Sequence, residues 1–238
     1  MVLQFLDGLR QLVFPSLCQV CGVLLTGAGD FCGKCRDSLT SDSATTCPRC
    51  AQSVGQFADL ANGCVACREH KFHFEQAIRF GVYDDTVRNV VLQIKHLPGQ
   101  NLAHCVGQLW ATHLESRLRA MKPDVVVPVP LHWWRRWTRG YNQSEALALA
   151  IAEVLGVPCR TSCLYRGRAT VFQTNLGLVA RASNVKAAFG CRFISGIKGL
   201  RVLLIDDVLT TGNTANEAAK ALRKAGASGV CLAVLARR

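Results

Sequence analysis

Apolar positions fall into short β-branched runs separated by longer stretches with helical spacing. Gln76–Tyr83, Asp124–Pro130 and Gly229–Ala236 read as strands, and Val202–Ile205 as a strand buried on both faces. Prolines end the D-V-V-V-P-V-P run. Val87, Val90, Val91 and Ile94 share one face of a helix predicted over Asp84–His96, which the Leu97-Pro98-Gly99 breaker closes. Asn101–Ala120 predicts a second helix. Asn142–Gly156 predicts a third, with Ala146, Leu149, Ala150 and Val154 apolar. Ala215, Ala218, Ala219 and Leu222 recur at i, i+3, i+4, i+7 of a fourth, where Gly226 stands at the stop position. Strands alternating with helices predict an α/β domain with a parallel sheet flanked by helices.

The first third of the chain breaks this rhythm. Val2, Leu3, Phe5, Leu6, Leu9, Leu12 and Val13 fit one broad helical face over Met1–Phe14. That stretch holds Asp7, lacks a basic leader and leads to no small-residue cleavage site, so a signal peptide is not expected. Four C-x-x-C knuckles follow: Cys18/Cys21, Cys32/Cys35, Cys47/Cys50 and Cys64/Cys67, each with Gly22, Gly33, Pro48 or Gly63 close by. Each knuckle points two thiolates at one metal, and four thiolates close a tetrahedral structural Zn²⁺ site. Eight cysteines therefore predict two zinc sites. Sequential pairing is the simplest arrangement, and spacing leaves a cross-braced one open. His70 and His73 offer substitute ligands but fit surface positions better. We divide the chain into a small zinc module over 1–73 and an α/β domain over 74–238.

Composition adds two constraints. Residues 1–80 carry seven charges of each sign and residues 81–238 hold 21 basic against nine acidic, so the whole +12 excess lies in the larger part. Such an excess suits phosphate-rich ligands or nucleic acid, although any single patch can be an ordinary solvated surface. Thirteen cysteines, an odd total with eight of them in C-x-x-C spacing, argue for metal in a reducing compartment, which predicts a cytoplasmic protein. The remaining five (Cys105, Cys159, Cys163, Cys191, Cys231) read as buried thiols. No run of 18 uncharged apolar residues predicts a membrane span.

The most specific stretch is R-V-L-L-I-D-D-V-L-T-T-G-N-T, Arg201–Thr214. A strand end, a hydroxyl-and-glycine loop and a helix start converge there, and such a point favours an anion, most often phosphate. It lacks the lysine of the P-loop and the three glycines of the dinucleotide fingerprint. Two carboxylates beside a phosphate nest suit a ligand with hydroxyls next to its phosphate, such as a ribose 5-phosphate. Asp206 and Asp207 would take the hydroxyls, and Thr210, Thr211, Gly212, Asn213 and Thr214 the phosphate. The plainer account is a capping box, Thr214 with Glu217, which leaves D-D-V-L-T-T-G unexplained.

Two further stretches carry arginines. In L-H-W-W-R-R-W-T-R-G-Y-N-Q-S, Leu131–Ser144, Arg135, Arg136 and Arg139 cluster with Trp133, Trp134, Trp137 and Tyr141. Arginine beside aromatic surface suits pyrophosphate, a base or single-stranded nucleic acid, against an aromatic packing corner with snorkelling arginines. Leu164–Phe189 sets Arg166, Arg168, Thr170, Gln173, Arg181, Asn184 and Lys186 at intervals, as a lid or binding element does. Lys95, at the end of its helix, faces a phosphate or complements the helix dipole.

V-L-L-I-D-D-V-L-T-T-G-N-T resembles the phosphoribosyl-pyrophosphate (PRPP) motif of type I phosphoribosyltransferases. With the cysteine knuckles, V-P-V-P-L plus R-R-W-T-R-G-Y-N-Q, and the Arg166–Phe189 segment, the chain from Pro15 onward resembles the ComF family. That resemblance implies a double zinc ribbon preceding a type I phosphoribosyltransferase-like fold, and a role in uptake of transforming DNA. It places the pyrophosphate loop at Val127–Leu131, with Pro130 and Leu131 followed by Arg135, Arg136 and Arg139. It assigns Asp206 and Asp207 to the ribose hydroxyls, indirectly helping to place Mg²⁺ on PRPP, and puts Leu164–Phe189 where a loop closes over the transition state. Asp206, Asp207 and Arg139 would serve the reacting centre, with no covalent nucleophile. No base-binding hood is recognisable, so the acceptor is unnamed. The implied partners are PRPP and single-stranded DNA or a helicase-type uptake protein. The alternatives are a metabolic phosphoribosyltransferase acting on a nucleobase or amine, and an interaction module with a vestigial enzyme domain.

Overall fold

Val202–Ile205 is the middle of a longer strand, and the acid pair belongs to it. The computed structural model describes residues 16–167, 189–192 and 194–238. The predicted helix over Met1–Phe14 and the predicted lid positions Arg168, Thr170, Gln173, Arg181, Asn184 and Lys186 lie outside the described residues. Strands β1 (Ala77–Val82), β2 (Val125–Pro128), β5 (Arg201–Leu209) and β6 (Gly229–Arg237) form one sheet in the order β1-β6-β5-β2, and every pair is parallel. Strands β3 (Leu164–Arg166) and β4 (Phe189–Cys191) make a separate antiparallel pair. The helices are α1 (Gly33–Thr40), α2 (Asp85–Gln93), α3 (Gly99–His113), α4 (Glu115–Ala120), α5 (Trp133–Arg139), α6 (Gln143–Leu155) and α7 (Asn213–Lys224).

Alternation along the strands sorts side chains to two cores, one on each face of the sheet. Leu203, Ile205, Ala233 and Leu235 face α2, α3 and α6, where Val90, Trp110, Leu147 and Ile151 are fully buried. Val202, Leu204, Leu232 and Val234 face the other way, onto Ala215, Ala218, Ala219 and Leu222 of α7. A parallel sheet covered on both faces explains why its strands read as continuous apolar runs. No helix among the described residues is long and apolar enough to cross a membrane.

Three local expectations change. Asn101–Ala120 is two helices, because Leu114 leaves helical geometry (φ −109°, ψ 21°), and Arg119 of the second donates to the carbonyls of Leu155 and Val154 at the end of α6 (3.0 and 3.2 Å). Gly140, which in the sequence reads as interrupting any helix in Leu131–Ser144, ends one instead: α5 closes on it at φ +79°, a conformation that favours glycine. Cys105, Cys163 and Cys231 are buried as expected, whereas Cys159 and Cys191 are only partly so.

The zinc module is joined to the sheet through buried polar contacts. Arg79 of β1, with its side chain 2% exposed, donates to both carboxylate oxygens of Asp42 (2.8 and 3.2 Å) and to the Ala51 carbonyl (2.9 Å). Ala51 is itself fully buried in the core that contains α7. Truncating one partner of a buried pair strands the other charge. Asp42→Ala is therefore expected to lower stability by about 3–5 kcal/mol in denaturant unfolding. A loss below about 1 kcal/mol, the range of an exposed pair, would mean that water reaches the guanidinium.

Candidate functional site

The carboxyl ends of β2 and β5 lie side by side, with the Val129 N–H donating to the Ile205 carbonyl at 2.8 Å. In open α/β sheets this edge is where ligands settle. It places Pro130 and Leu131 next to Asp206 and Asp207. The two acids point to opposite faces of the strand, as neighbours on a strand do, yet their backbone and side chains interlock. Asp206 Oδ1 accepts from the Asp207 N–H (2.9 Å), and Asp207 Oδ1 from the Val208 N–H (2.7 Å).

Residues far away in sequence complete the surroundings. Ser144 Oγ donates to Asp206 Oδ1 at 3.2 Å and Gln143 Nε2 to Asp207 Oδ2 at 3.0 Å. Both sit in the first turn of α6, which Asn142 caps by accepting from the Ser144 N–H (3.2 Å) while donating to the Val129 carbonyl (3.1 Å). Lys95 Nζ lies 3.6 Å from Asp207 Oδ2, so of its two sequence readings it takes neither alone: it faces the acid pair. The Tyr141 hydroxyl, buried in the core, donates to the Ile94 carbonyl and pins the end of α2 that carries Lys95.

Charge at this edge is crowded and partly desolvated. Burial, then the neighbouring Asp207 charge, holds the Asp206 carboxyl well above the usual carboxylate range. Arg139, which donates to Gln143 Oε1 (3.3 Å), has its pKa lowered by burial, partly offset by Asp207. Arg166 at the end of β3 is lowered by burial and by Arg135, with Asp206 acting the other way. Lys95, Arg139 and Arg166 thus gather around two carboxylates, with Arg135 beside the two arginines. Arg136 differs: it is half exposed and pairs with Glu145 at 2.9 Å.

His132 adds a donor that sequence reading passed over. It caps α5 by accepting from the Trp134 N–H at Nδ1 (3.4 Å), which leaves the proton on Nε2. The Nε2 atom is buried without a hydrogen-bond partner among the described residues, and burial followed by Arg166 and Arg135 lowers the imidazole pKa and keeps it neutral. Trp133, Trp134 and Trp137 make no packing corner. They are 64%, 53% and 74% exposed, and their rings touch in sequence at 5.7 and 5.4 Å between centroids.

The loop after β5 turns into α7 at Gly212, whose φ of +81° favours glycine. Thr210 and Thr211 are exposed, Gly212 is buried, and Asn213 and Thr214 are partly buried. The capping box does not form: α7 starts at Asn213 with Gly212 in the cap position, Thr214 is already inside the first turn, and Glu217 lies 3.9 Å from Lys220. The first-turn N–H groups of α7 therefore open toward the loop without a side-chain cap.

The eight knuckle cysteines resolve into two sets. Cys18, Cys21, Cys32 and Cys35 form one and Cys47, Cys50, Cys64 and Cys67 the other, and within each set the sulfurs lie within 4.8 Å of one another. Pairing is sequential. Neither His70 nor His73 joins a set; His70 stacks on Phe72. Sulfur separations of 3.8 Å (Cys21–Cys32), 3.7 Å (Cys47–Cys67) and 3.6 Å (Cys50–Cys64) match a tetrahedron with Zn–S near about 2.3 Å, whose edges are about 3.8 Å. The donors fit zinc, and the second set is wholly buried.

Sheet order, acid pair and phosphate-type turn define a type I phosphoribosyltransferase-like domain, here preceded by two four-cysteine zinc-binding sites. Residues 145–238 match the phosphoribosyl transferase domain and residues 9–68 the double zinc ribbon domain. The chain is 29% identical over 230 residues to the DNA utilization protein YhgH of Salmonella typhi, covering 95% of this chain and 99% of that one. It is 28% identical over 220 residues to competence protein F of Haemophilus influenzae, covering 91% and 94%. Among solved structures, the glutamine PRPP amidotransferase of B. subtilis matches at 22% identity with a TM-score of 0.39, over 57% of this chain and 26% of that one. These two domains in this order, with relatives named for competence and DNA utilization along nearly the whole chain, support the resemblance to the ComF family.

Proposed function

We propose that this protein binds PRPP with Mg²⁺ at the β5 acid pair and acts in the handling of DNA during its uptake, in the cytoplasm. The observation that carries the reading is the acid pair itself: two carboxylates at a strand end, with Lys95, Arg139 and Arg166 beside them and Arg135 next to those arginines, open onto an uncapped helix N-terminus. Ribose hydroxyls would donate to Asp206 and Asp207. The 5-phosphate would take the N–H groups of Thr210–Thr214, and the pyrophosphate would lie against Pro130, Leu131, His132, Arg135 and Arg139. Bound Mg²⁺ supplies charge neutralisation at the pyrophosphate. An acid pair that resists double ionisation fits a ligand delivering hydroxyl donors and a cation.

The relatives named for competence and DNA utilization support the DNA assignment. So does the run of exposed tryptophans on α5 beside Arg135 and Arg139, a surface on which unpaired bases stack. The zinc module, with equal numbers of acidic and basic residues nearby, suits a protein partner better than a nucleic-acid strand.

The test is titration calorimetry of Mg–PRPP into the zinc-loaded protein in buffers of different ionisation enthalpy. Asp206 holds its proton to higher pH than an ordinary carboxyl, so binding to its ionised form releases that proton. The observed enthalpy is expected to change with buffer, and affinity to weaken as pH falls through the raised Asp206 value. No heat from well-folded protein would remove the PRPP reading. Salt-dependent binding of single strands checks the DNA assignment separately.

A further inference from the structure

The back of the phosphate turn rests on the second cysteine set. The chain leaving Cys67 runs beneath Gly212, and Phe72 fills the gap: a Cβ on Gly212 would lie 3.2 Å from the Phe72 ring. Asn216, in the first turns of α7, holds the same segment by its backbone. Its Oδ1 accepts from the His73 N–H at 2.6 Å and its Nδ2 donates to the Lys71 carbonyl at 3.3 Å. Phe72 in turn stacks between His70 and Phe74 (centroids 5.7 and 4.5 Å) and packs on the buried cysteines. Arg49, between Cys47 and Cys50, ties the set together by donating to the carbonyls of Asn62 and His70, both at 2.8 Å.

A second link runs from the other side. Arg237, at the end of β6, donates to the Leu209 carbonyl at 2.9 Å and to that of Thr210, the residues that open the phosphate turn. Its guanidinium also lies in the field of the Cys50 and Cys64 sulfurs. The first set makes different contacts. Its loop meets α2 and α3, where Gln93 donates to the Val20 carbonyl (3.4 Å) and Asn101 to Gln19 (3.1 Å). The molecule therefore contains an internal control.

We propose that the second zinc set and the phosphate turn form one cooperative unit, in which metal held by Cys47, Cys50, Cys64 and Cys67 and a phosphate ligand in the turn strengthen each other's binding. Phe72, Asn216 and Arg237 are its positioning residues. The proposal rests on the PRPP reading of the turn. Its physical basis is that the Phe72 ring is the nearest support behind Gly212, and the segment carrying that ring is ordered by the cysteine set. Coupling of this kind is reciprocal: whatever affinity the metal lends the ligand, the ligand returns to the metal.

Reciprocity allows a test on the unmodified, zinc-loaded full chain. The protein is exposed to a zinc-selective pyridyl chelator with little affinity for Mg²⁺ and to isotope-coded maleimide, with and without saturating Mg–PRPP. Labelling of each cysteine is followed by mass spectrometry. Labelling of Cys47, Cys50, Cys64 and Cys67 is expected to slow about tenfold with ligand, within the range of ordinary coupling. Labelling of Cys18, Cys21, Cys32 and Cys35 is expected to stay unchanged. Equal slowing of both sets, or none in the second, overturns the proposal. In Asn216→Ala, metal analysis is expected to find zinc in both sets while the protection disappears and Mg–PRPP binds several-fold more weakly; retained protection overturns the role of Asn216 and the unit with it. Parallel calorimetry separates the two readings: binding without protection overturns the coupling alone, and no binding overturns both.

Discussion

Asparagine at both Asp206 and Asp207 is expected to weaken Mg–PRPP binding at least 100-fold, below calorimetric detection. Each carboxylate would accept a hydrogen bond worth about 1.5–3 kcal/mol as a charged acceptor, so losing both removes about 3–6 kcal/mol, or two to four decades of affinity. The amides keep the shape and most of the local hydrogen bonding but lose the charge. Asp206→Asn alone is expected to do something a damaging substitution does not: raise stability, by about 1–2 kcal/mol near neutral pH. Burial and Asp207 lift the Asp206 pKa in the folded state, so ionising it opposes folding. Below the ordinary carboxylate range Asp206 is protonated folded and unfolded, and the variant gains nothing. The advantage grows as pH rises from there and levels off above the raised value. Asp207→Asn is expected to give no such gain, because it removes the partner of Lys95. Chemical denaturation of each single variant across pH, beside calorimetry, checks both halves. An Asp206→Asn protein that binds as the wild type does would remove this carboxylate from the site.

What could be read from the sequence was local. The run Val202–Ile205, the acid pair and the glycine turn lie within fourteen residues, and a strand-to-helix turn is specified by its neighbours. The cysteine knuckles are similarly self-contained, and their pairing became definite only when the fold brought Cys35 to Cys18 and Cys67 to Cys47. The rest of the site was hidden because it depends on sheet register. Ser144 and Gln143 reach the acid pair from 62 and 64 residues away, and nothing at Asn142–Ser144 announces this beyond a helix cap. Lys95 was visible only as a cation at a helix end. The capping box failed for a related reason: Thr214 and Glu217 satisfy the pattern, but Gly212 in a left-handed conformation starts the helix two residues earlier. Nothing local to Phe72, just past the last knuckle, marks it as the residue under the phosphate turn, because that contact joins segments about 140 residues apart.

The largest effect on stability is expected from the second zinc set. All four of its cysteines are buried, it packs on Phe72, and the adjacent Ala51 is a fully buried part of the core between the sheet and α7. A structural four-thiolate zinc contributes about 10–16 kcal/mol of apparent binding energy in isolated modules, comparable with the whole stability of a domain. Cys50→Ser, which leaves three thiolates and a buried hydroxyl, is thus expected to lose one zinc and about 5 kcal/mol, lowering the main melting transition by about 10–20 °C. Cys21→Ser is also expected to lose one zinc. Its thiol is exposed and its set is only partly buried, where every cysteine of the second set is buried, so the main transition should fall by less than about 5 °C. Metal analysis with thermal melts of both variants decides the point. Equal losses would mean that the two sets support the sheet alike, and that burial of the second is a matter of packing rather than of stability.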